Sequence, residues 1–421
     1  MTATRPNTTP PNLGPRWRGR ITALLGILLY AFSLRSAVAS FSPLVEHVRA
    51  DFPISTLVVG LIGAAPLACY AIFGLLTPII ERFVGLDRLA WMAMAAGTLG
   101  LVGRSLANDE LTILGSTLGL FAALGVANIL LPALVKKYFP DRIGLLTAAF
   151  TVAMALSTML PAALAVPVAD AANWRFSMGM WAIFAAAAVI PWIILIVRSR
   201  RAAHPSPAEG SPTPIDTRAF GRLWRLPLAW ALTLVFATAG GIAYSTFAWI
   251  PAILGDTVGF SPAAGGVMLA LFALVAVVTS VLAPIIMTRS NRVLPLFLVS
   301  LACGFIGVAG LIWVPAWNTW LWIVLLNLAT TTFPMTMMLL GMRVRSAETA
   351  VALSGFVQSI GYLIAALFPI GFGILHDLTG SWTPALALWM LLLAAALPAG
   401  FVVARPITIE AQWERHTGRQ W

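Results

Sequence analysis

ITALLGILLYAFSLRSAVASF, residues 21–41, is an apolar run that carries one full charge, Arg35. As a helix rising 1.5 Å per residue, it is long enough to cross a hydrocarbon core of roughly 30 Å. A guanidinium cannot escape the membrane by losing its proton, and holding one in mid-span costs on the order of 3 kcal/mol on the insertion scale. Arg35 falls about 21 Å along that helix, just to the outer side of the midplane. The fold and the function both have to account for it.

The rest of the chain repeats the pattern without the charge. Of the 421 residues 60% are hydrophobic and 10% charged, with a mean hydropathy of +0.91, which leaves too little polar surface to solvate a globule. Strictly apolar runs flanked by Arg, Trp and Pro predict an all-α integral membrane protein, because lipid-facing strands would alternate apolar and polar residues. Twelve spans are expected, at 21–42, 56–80, 89–105, 111–135, 143–167, 174–197, 228–251, 262–287, 293–314, 318–342, 348–375 and 383–404. An even number puts both termini on one side. With that side cytoplasmic, 22 of the 26 Lys and Arg residues lie inside and only Arg49, Arg104 and Arg175 outside, as the positive-inside rule requires. The net charge of +11 is thereby explained without a nucleic-acid partner. Met1 to Gly19 is polar and Pro-rich, so no cleavable leader is expected.

A linker rich in Pro, Ala and Ser, 198–227, separates two sets of six spans. The expected organisation is a cytoplasmic tail at 1–20, a bundle at 21–197, the linker, a second bundle at 228–404 and a cytoplasmic tail at 405–421. The bundles repeat each other: LLTPII at 75–80 matches VLAPII at 281–286, and Ser55/Ser261, Gly60/Gly266 and Phe150/Phe356 fall at the same offset of 206. Pro43/Pro251, Trp174/Trp382 and Trp181/Trp389 fall at 208. A near-constant offset from first span to last predicts two parallel six-helix repeats related by an axis along the membrane normal.

Four segments narrow the reading: SLRSAVASFSPLVEHVRADF (33–52), GVANILLPALVKKYFPDRIG (125–144), FAWIPAILGDTVGFSPAAGG (247–266) and ALSGFVQSIGYLIAALFPIGFGILHDLTGSW (352–382). They resemble the signature segments of the cyanate and 2-nitroimidazole transporter group of the major facilitator superfamily, over nearly the whole chain outside the tails and linker. Two departures stand out. Ser33 and Ser36 replace the Asn and Pro that often flank the Leu-Arg pair in that group, and the superfamily's loop between the second and third spans survives only as Glu81, Arg82, Gly85, Asp87 and Arg88. The resemblance implies the major facilitator fold, a bacterial inner (plasma) membrane, a monomer, and a gating role for Glu81, Arg82, Asp87 and Arg88.

Arg35 has three readings: an anion ligand, a structural cation bonded to helix carbonyls, or a lipid-facing side chain that snorkels outward. The first is favoured because none of the fifteen Asp and Glu residues lies deep in a span to serve as a fixed partner. Polar side chains at comparable depth complete the candidate pocket: Tyr30, Ser33, Asn128, Tyr244, Trp249, Asn327, Gln358 and Tyr362. The resemblance, in which spans one, four, seven and ten line the cavity, favours Asn128, Tyr244 and Asn327. For each amide the alternative is hydrogen bonding between helices, under about 1 kcal/mol apiece. Gln358 and Tyr362, four apart, share a helix face. Trp249 precedes Pro251, where a broken outer end of the seventh span would form a gate; interfacial anchoring, the role expected of Trp17, Trp91, Trp174, Trp224, Trp317, Trp320 and Trp382, is the alternative.

Cys69 and Cys303 sit in different spans and read as buried side chains, while His47, His204, His376 and His416 are too dispersed for a metal site. No phosphate-binding loop or metalloprotease motif is present, and no nucleophile and base share a depth. The expectation is a secondary transporter without cofactor, not an enzyme, working by alternating access on a small anion such as cyanate or a small carboxylate. Its rival within the same class is an exporter of neutral nitroheterocycles in which Arg35 is structural.

Overall fold

The computed structural model describes residues 20–201, 221–290 and 293–418. Most of the expected N-terminal tail with Trp17, linker residues 202–220 with His204, and the last three residues lie outside the described residues. The described chain is helical throughout. Eleven of its helices are long and apolar enough to cross a membrane. The third expected span is also a helix, Leu86–Ser105, long enough at 20 residues, but its Gly, Ala and Arg content leaves it less apolar than the rest.

The helices make two bundles of six, and their surfaces invert those of a water-soluble protein. Leu99, Ile190, Leu367 and Leu391 are exposed, whereas Ser33, Ser157, Thr233 and Asn327 are fully buried. Helix starts follow the usual capping chemistry. Ser55 Oγ accepts from the Val58 N–H, Asp109 from Thr112 and Ser346 from Thr349. The second and third helices, Thr56–Val84 and Leu86–Ser105, are joined by Gly85 alone; its φ of +86° is open to glycine and strained for other residues.

The bundles meet chiefly through the second span with the eleventh, Ala347–Thr379, and the fifth, Ile143–Ala171, with the eighth, Pro262–Ser290. Small residues set the distance on the face away from the linker. A Cβ on Gly63 would lie 2.6 Å from the Ala248 Cβ, and one on Gly266 would lie 2.4 Å from the Ala162 carbonyl oxygen. That half of the interface is closed.

Three features correct the sequence reading. The first span is not one helix: Ile21–Ser33 ends, Leu34 and Arg35 form a turn, and Ser36–Ala39 resumes before a 3-10 turn at Ser42–Leu44. Arg35 therefore sits at a helix break, not in mid-helix. The seventh span, Pro227–Val258, runs unbroken through Pro251, so the expected interruption beside Trp249 is absent. Arg104, counted on the outer side at the end of the third span, is 1% exposed and packs between helices.

Candidate functional site

The break in the first span frees backbone groups that a helix would pair with each other, and in lipid each must be paired again. The Leu34 N–H turns back to the Ala31 carbonyl at 3.3 Å, leaving the Arg35 N–H for the Ser157 hydroxyl, 3.2 Å away in the fifth span. Ser36 Oγ donates to the Ser33 carbonyl, and Arg104 Nη1 donates to the Ala37 carbonyl at 2.9 Å. The two serines that depart from the family pattern flank the break. Ser33 donates its own hydroxyl to the Leu29 carbonyl at 2.8 Å.

Arg35 leaves this turn toward a cavity of about 490 Å³ between the bundles. Asn128, Tyr244, Gln358 and Tyr362 line the same cavity. The guanidinium is close enough to the phenols of Tyr244, Tyr70 and Tyr362 to interact electrostatically with all three, Tyr244 foremost. Tyr70 and Tyr362 meet edge to face across the bundle interface, 6.0 Å between centroids. Apolar walls surround this polar centre, with Phe150, Met154, Phe272, Phe333 and Met337 among them. Asn128, Gln358 and Tyr362 also line a vestibule of about 730 Å³ that continues past Gly74, Ile79, Gly341 and Ala350 to Arg82. The cavity thus opens toward the loop between the second and third spans, opposite the closed glycine face. Among the described residues, the charged side chains lining cavity and vestibule are Arg35 and Arg82.

The remaining candidates lie elsewhere. Tyr30 is fully buried against Trp192, rings 5.9 Å apart, and its hydroxyl has no partner among the described residues. Ser33 is spent on the backbone. Asn327 is fully buried and donates Nδ2 to the Phe272 carbonyl at 2.8 Å, joining the tenth span to the eighth. Trp249 donates its indole N–H to the Pro369 carbonyl at 2.7 Å and packs on Trp382, at the closed end of the interface.

At the expected gating loop, Lys137 in the last turn of the fourth span donates to Asp87 Oδ2 at 2.7 Å. Arg82 and Arg88 are exposed. Burial raises the Glu81 carboxyl above its ordinary range, with Lys137 opposing. Asp87 and Lys137 tie the third span to the fourth within the first bundle.

Tyr70, Ser157 and Arg104 were not anticipated. Tyr70 had a signal in the sequence, since the chain has only five tyrosines and three of them converge on Arg35. The second span was simply not expected at the cavity. Ser157 and Arg104 act on backbone atoms, which leave no trace in sequence.

A family model described as Major Facilitator Superfamily matches residues 23–369. The chain belongs to the Major Facilitator Superfamily. It is a multi-pass membrane transporter and not an enzyme, as the sequence reading held. Relatives in this superfamily include the 2-nitroimidazole transporter of Escherichia coli K12, 31% identical over 370 residues that cover 87% of this chain and 91% of the relative. The cyanate transport protein CynX of the same organism is 26% identical over 364 residues, 85% of this chain and 91% of the relative. Among solved structures, a bacterial homologue of the human lysosomal transporter Spinster, in an inward-facing and unoccupied conformation, superposes with a TM-score of 0.74 at 13% identity, covering 93% of this chain and 98% of that one. The D-xylose–proton symporter gives 0.69 at 15%, covering 95% and 98%. These two likenesses establish the fold alone.

Proposed function

We propose that this transporter is a secondary carrier of small organic anions in a bacterial inner membrane, with both termini cytoplasmic. It works as a monomer by alternating access, and in this conformation the cavity opens inward. Arg35 binds the anionic group, and Tyr244, Tyr362, Asn128 and Gln358 fix its orientation. The observation that carries the reading is an arginine lining the cavity beside two phenols, Tyr244 and Tyr362. Among the described residues no Asp or Glu lines that cavity or its vestibule. A charge-assisted pair with a carboxylate, bidentate where geometry allows, is the interaction an Arg in this setting is suited to make.

The cavity volume favours a carboxylate with a flat apolar body over cyanate. Its size falls in the range of sites for drug-sized molecules, and a triatomic ion would leave Phe150, Phe272 and Phe333 without contact. A second reading, a neutral nitroheterocycle held by those rings, is supported by the relative that is a 2-nitroimidazole transporter. Flux in proteoliposomes under an imposed pH gradient separates the two, with benzoate, formate, cyanate and 2-nitroimidazole as probes. Saturable uptake of an anion that Arg35→Ala abolishes supports the anion reading. Uptake of 2-nitroimidazole alone, unaffected by Arg35→Ala, replaces it with the second.

A further inference from the structure

The first span is broken at the residue that carries its charge, and the atoms that hold the break open come from two other helices. Ser157, fully buried in the fifth span, accepts from the Arg35 N–H at 3.2 Å. Arg104, 1% exposed in the third helix, donates to the Ala37 carbonyl at 2.9 Å, and its carbon Cζ lies 5.4 Å from the centre of the Phe41 ring. Its Nε and Nη2 have no hydrogen-bond partner among the described residues. A cation buried with one hydrogen bond is a poor way to stabilise a bundle, so packing alone does not account for Arg104. One contact falls on the amide of Arg35 itself and the other two residues on, both on backbone atoms. They therefore fix where the Arg35 Cα sits and which way its side chain leaves.

We infer that Ser157 and Arg104 are positioning residues, which clamp the interrupted first span so that Arg35 presents its guanidinium to the transported anion. This rests on Arg35 being the anion ligand. Ser157 holds the amide just ahead of the resumed helix and Arg104 a carbonyl within it, that of Ala37. Without either, residues 34–37 relax toward a continuous helix and carry the guanidinium round the helix axis, away from Tyr244.

The full chain in detergent tests the clamp by hydrogen exchange over residues 31–41. Ser157→Ala raises exchange there about tenfold, the effect of losing one hydrogen bond, and leaves peptides of the seventh span unchanged. In proteoliposomes, Ser157→Ala and Arg104→Gln raise the KM for benzoate, formate or cyanate about tenfold with Vmax within about twofold of wild type, and Ser157→Thr restores both. If Arg104→Gln does not fold, Ser157→Ala carries the test. Unchanged exchange at 31–41 overturns the clamp. Faster exchange with an unchanged KM, in a carrier that Arg35→Ala inactivates, overturns positioning and leaves Arg35 as the ligand. Normal uptake by Arg35→Ala, or no uptake of any of the three anions, overturns both.

Discussion

The first and seventh spans hold equivalent places in the two repeats and have opposite characters. At an offset of 208 the first span's Ser33-Leu34-Arg35-Ser36 corresponds to Gly241-Ile242-Ala243-Tyr244 in the seventh. The first breaks there, and its loose backbone is gathered by Ser36, Ser157 and Arg104. The seventh stays helical for 32 residues, with Gly241 packed against Phe368 and Leu392. One arm brings a cation to the cavity and the other a phenol that reaches it. Duplication supplied one path through the bundle twice, and four residues made one copy a polar turn and the other a rigid wall.

The comparison breaks most sharply at the charge. Arg35→Ala is expected to lower anion flux more than about 100-fold, the scale of losing a buried charge-assisted contact. The variant should still elute as a folded, monodisperse protein, since the contacts at the break fall on backbone atoms and not on the Arg35 guanidinium. Normal flux would show that the first span's charge has no part in transport.

On the seventh span, Tyr244→Phe removes a hydroxyl from the cavity that Arg35 lines and is expected to raise the anion KM about tenfold, as loss of a hydrogen bond to a bound charged group does. An unchanged KM would mean that the two arms do not cooperate.

The segment that follows the first span on the outer side and the outer end of the seventh give a smaller test. The Trp174 indole donates to Asp51 Oδ2 at 2.8 Å, as Trp382 donates to Asp256 Oδ2 at 2.7 Å. The Trp174 hydrogen bond and then the Arg175 guanidinium hold the Asp51 carboxyl below its ordinary range. A depressed folded value means this stabilisation is present above the unfolded pKa, near 3.8, and is lost as pH falls through the lower folded one. Asp51→Asn should therefore destabilise the protein at pH 7 by under about 1 kcal/mol, because the pair is half-exposed and screened, read as a slight fall in melting temperature. The difference should vanish in strong acid, and a gap that persisted there would exclude an ionic origin.

The smallest effect is expected at Tyr30, the first span's own phenol. Its hydroxyl is buried without a partner among the described residues, so Tyr30→Phe should leave KM unchanged and stability equal or higher by up to about 1 kcal/mol. The same substitution on two tyrosines would then give opposite results, measured by flux and by thermal melting.

Arg35 and its cavity partners Asn128, Tyr244, Gln358 and Tyr362 could be picked from the sequence, because a polar or charged side chain deep in an apolar span is rare. Depth alone could not separate side chains that face the cavity from those turned into the bundle. Asn327 and Asn128 look alike in sequence, yet Asn327 bonds the Phe272 carbonyl and Asn128 lines the cavity. Trp249 beside Pro251 suggested a broken helix, but neighbouring helices keep the segment regular and the indole caps the Pro369 carbonyl.

By itself the sequence determined a helical membrane protein of two six-span repeats with one arginine placed where lipid would exclude it. Those properties follow from hydropathy, helical rise and charge asymmetry, which are sums along the chain. The tertiary structure decided that this arginine stands at a helix break, that three tyrosines from both bundles converge on it, and that a serine and a second arginine hold the break. Each of these depends on backbone atoms and helix rotations brought together from distant parts of the chain, and no run of residues records them.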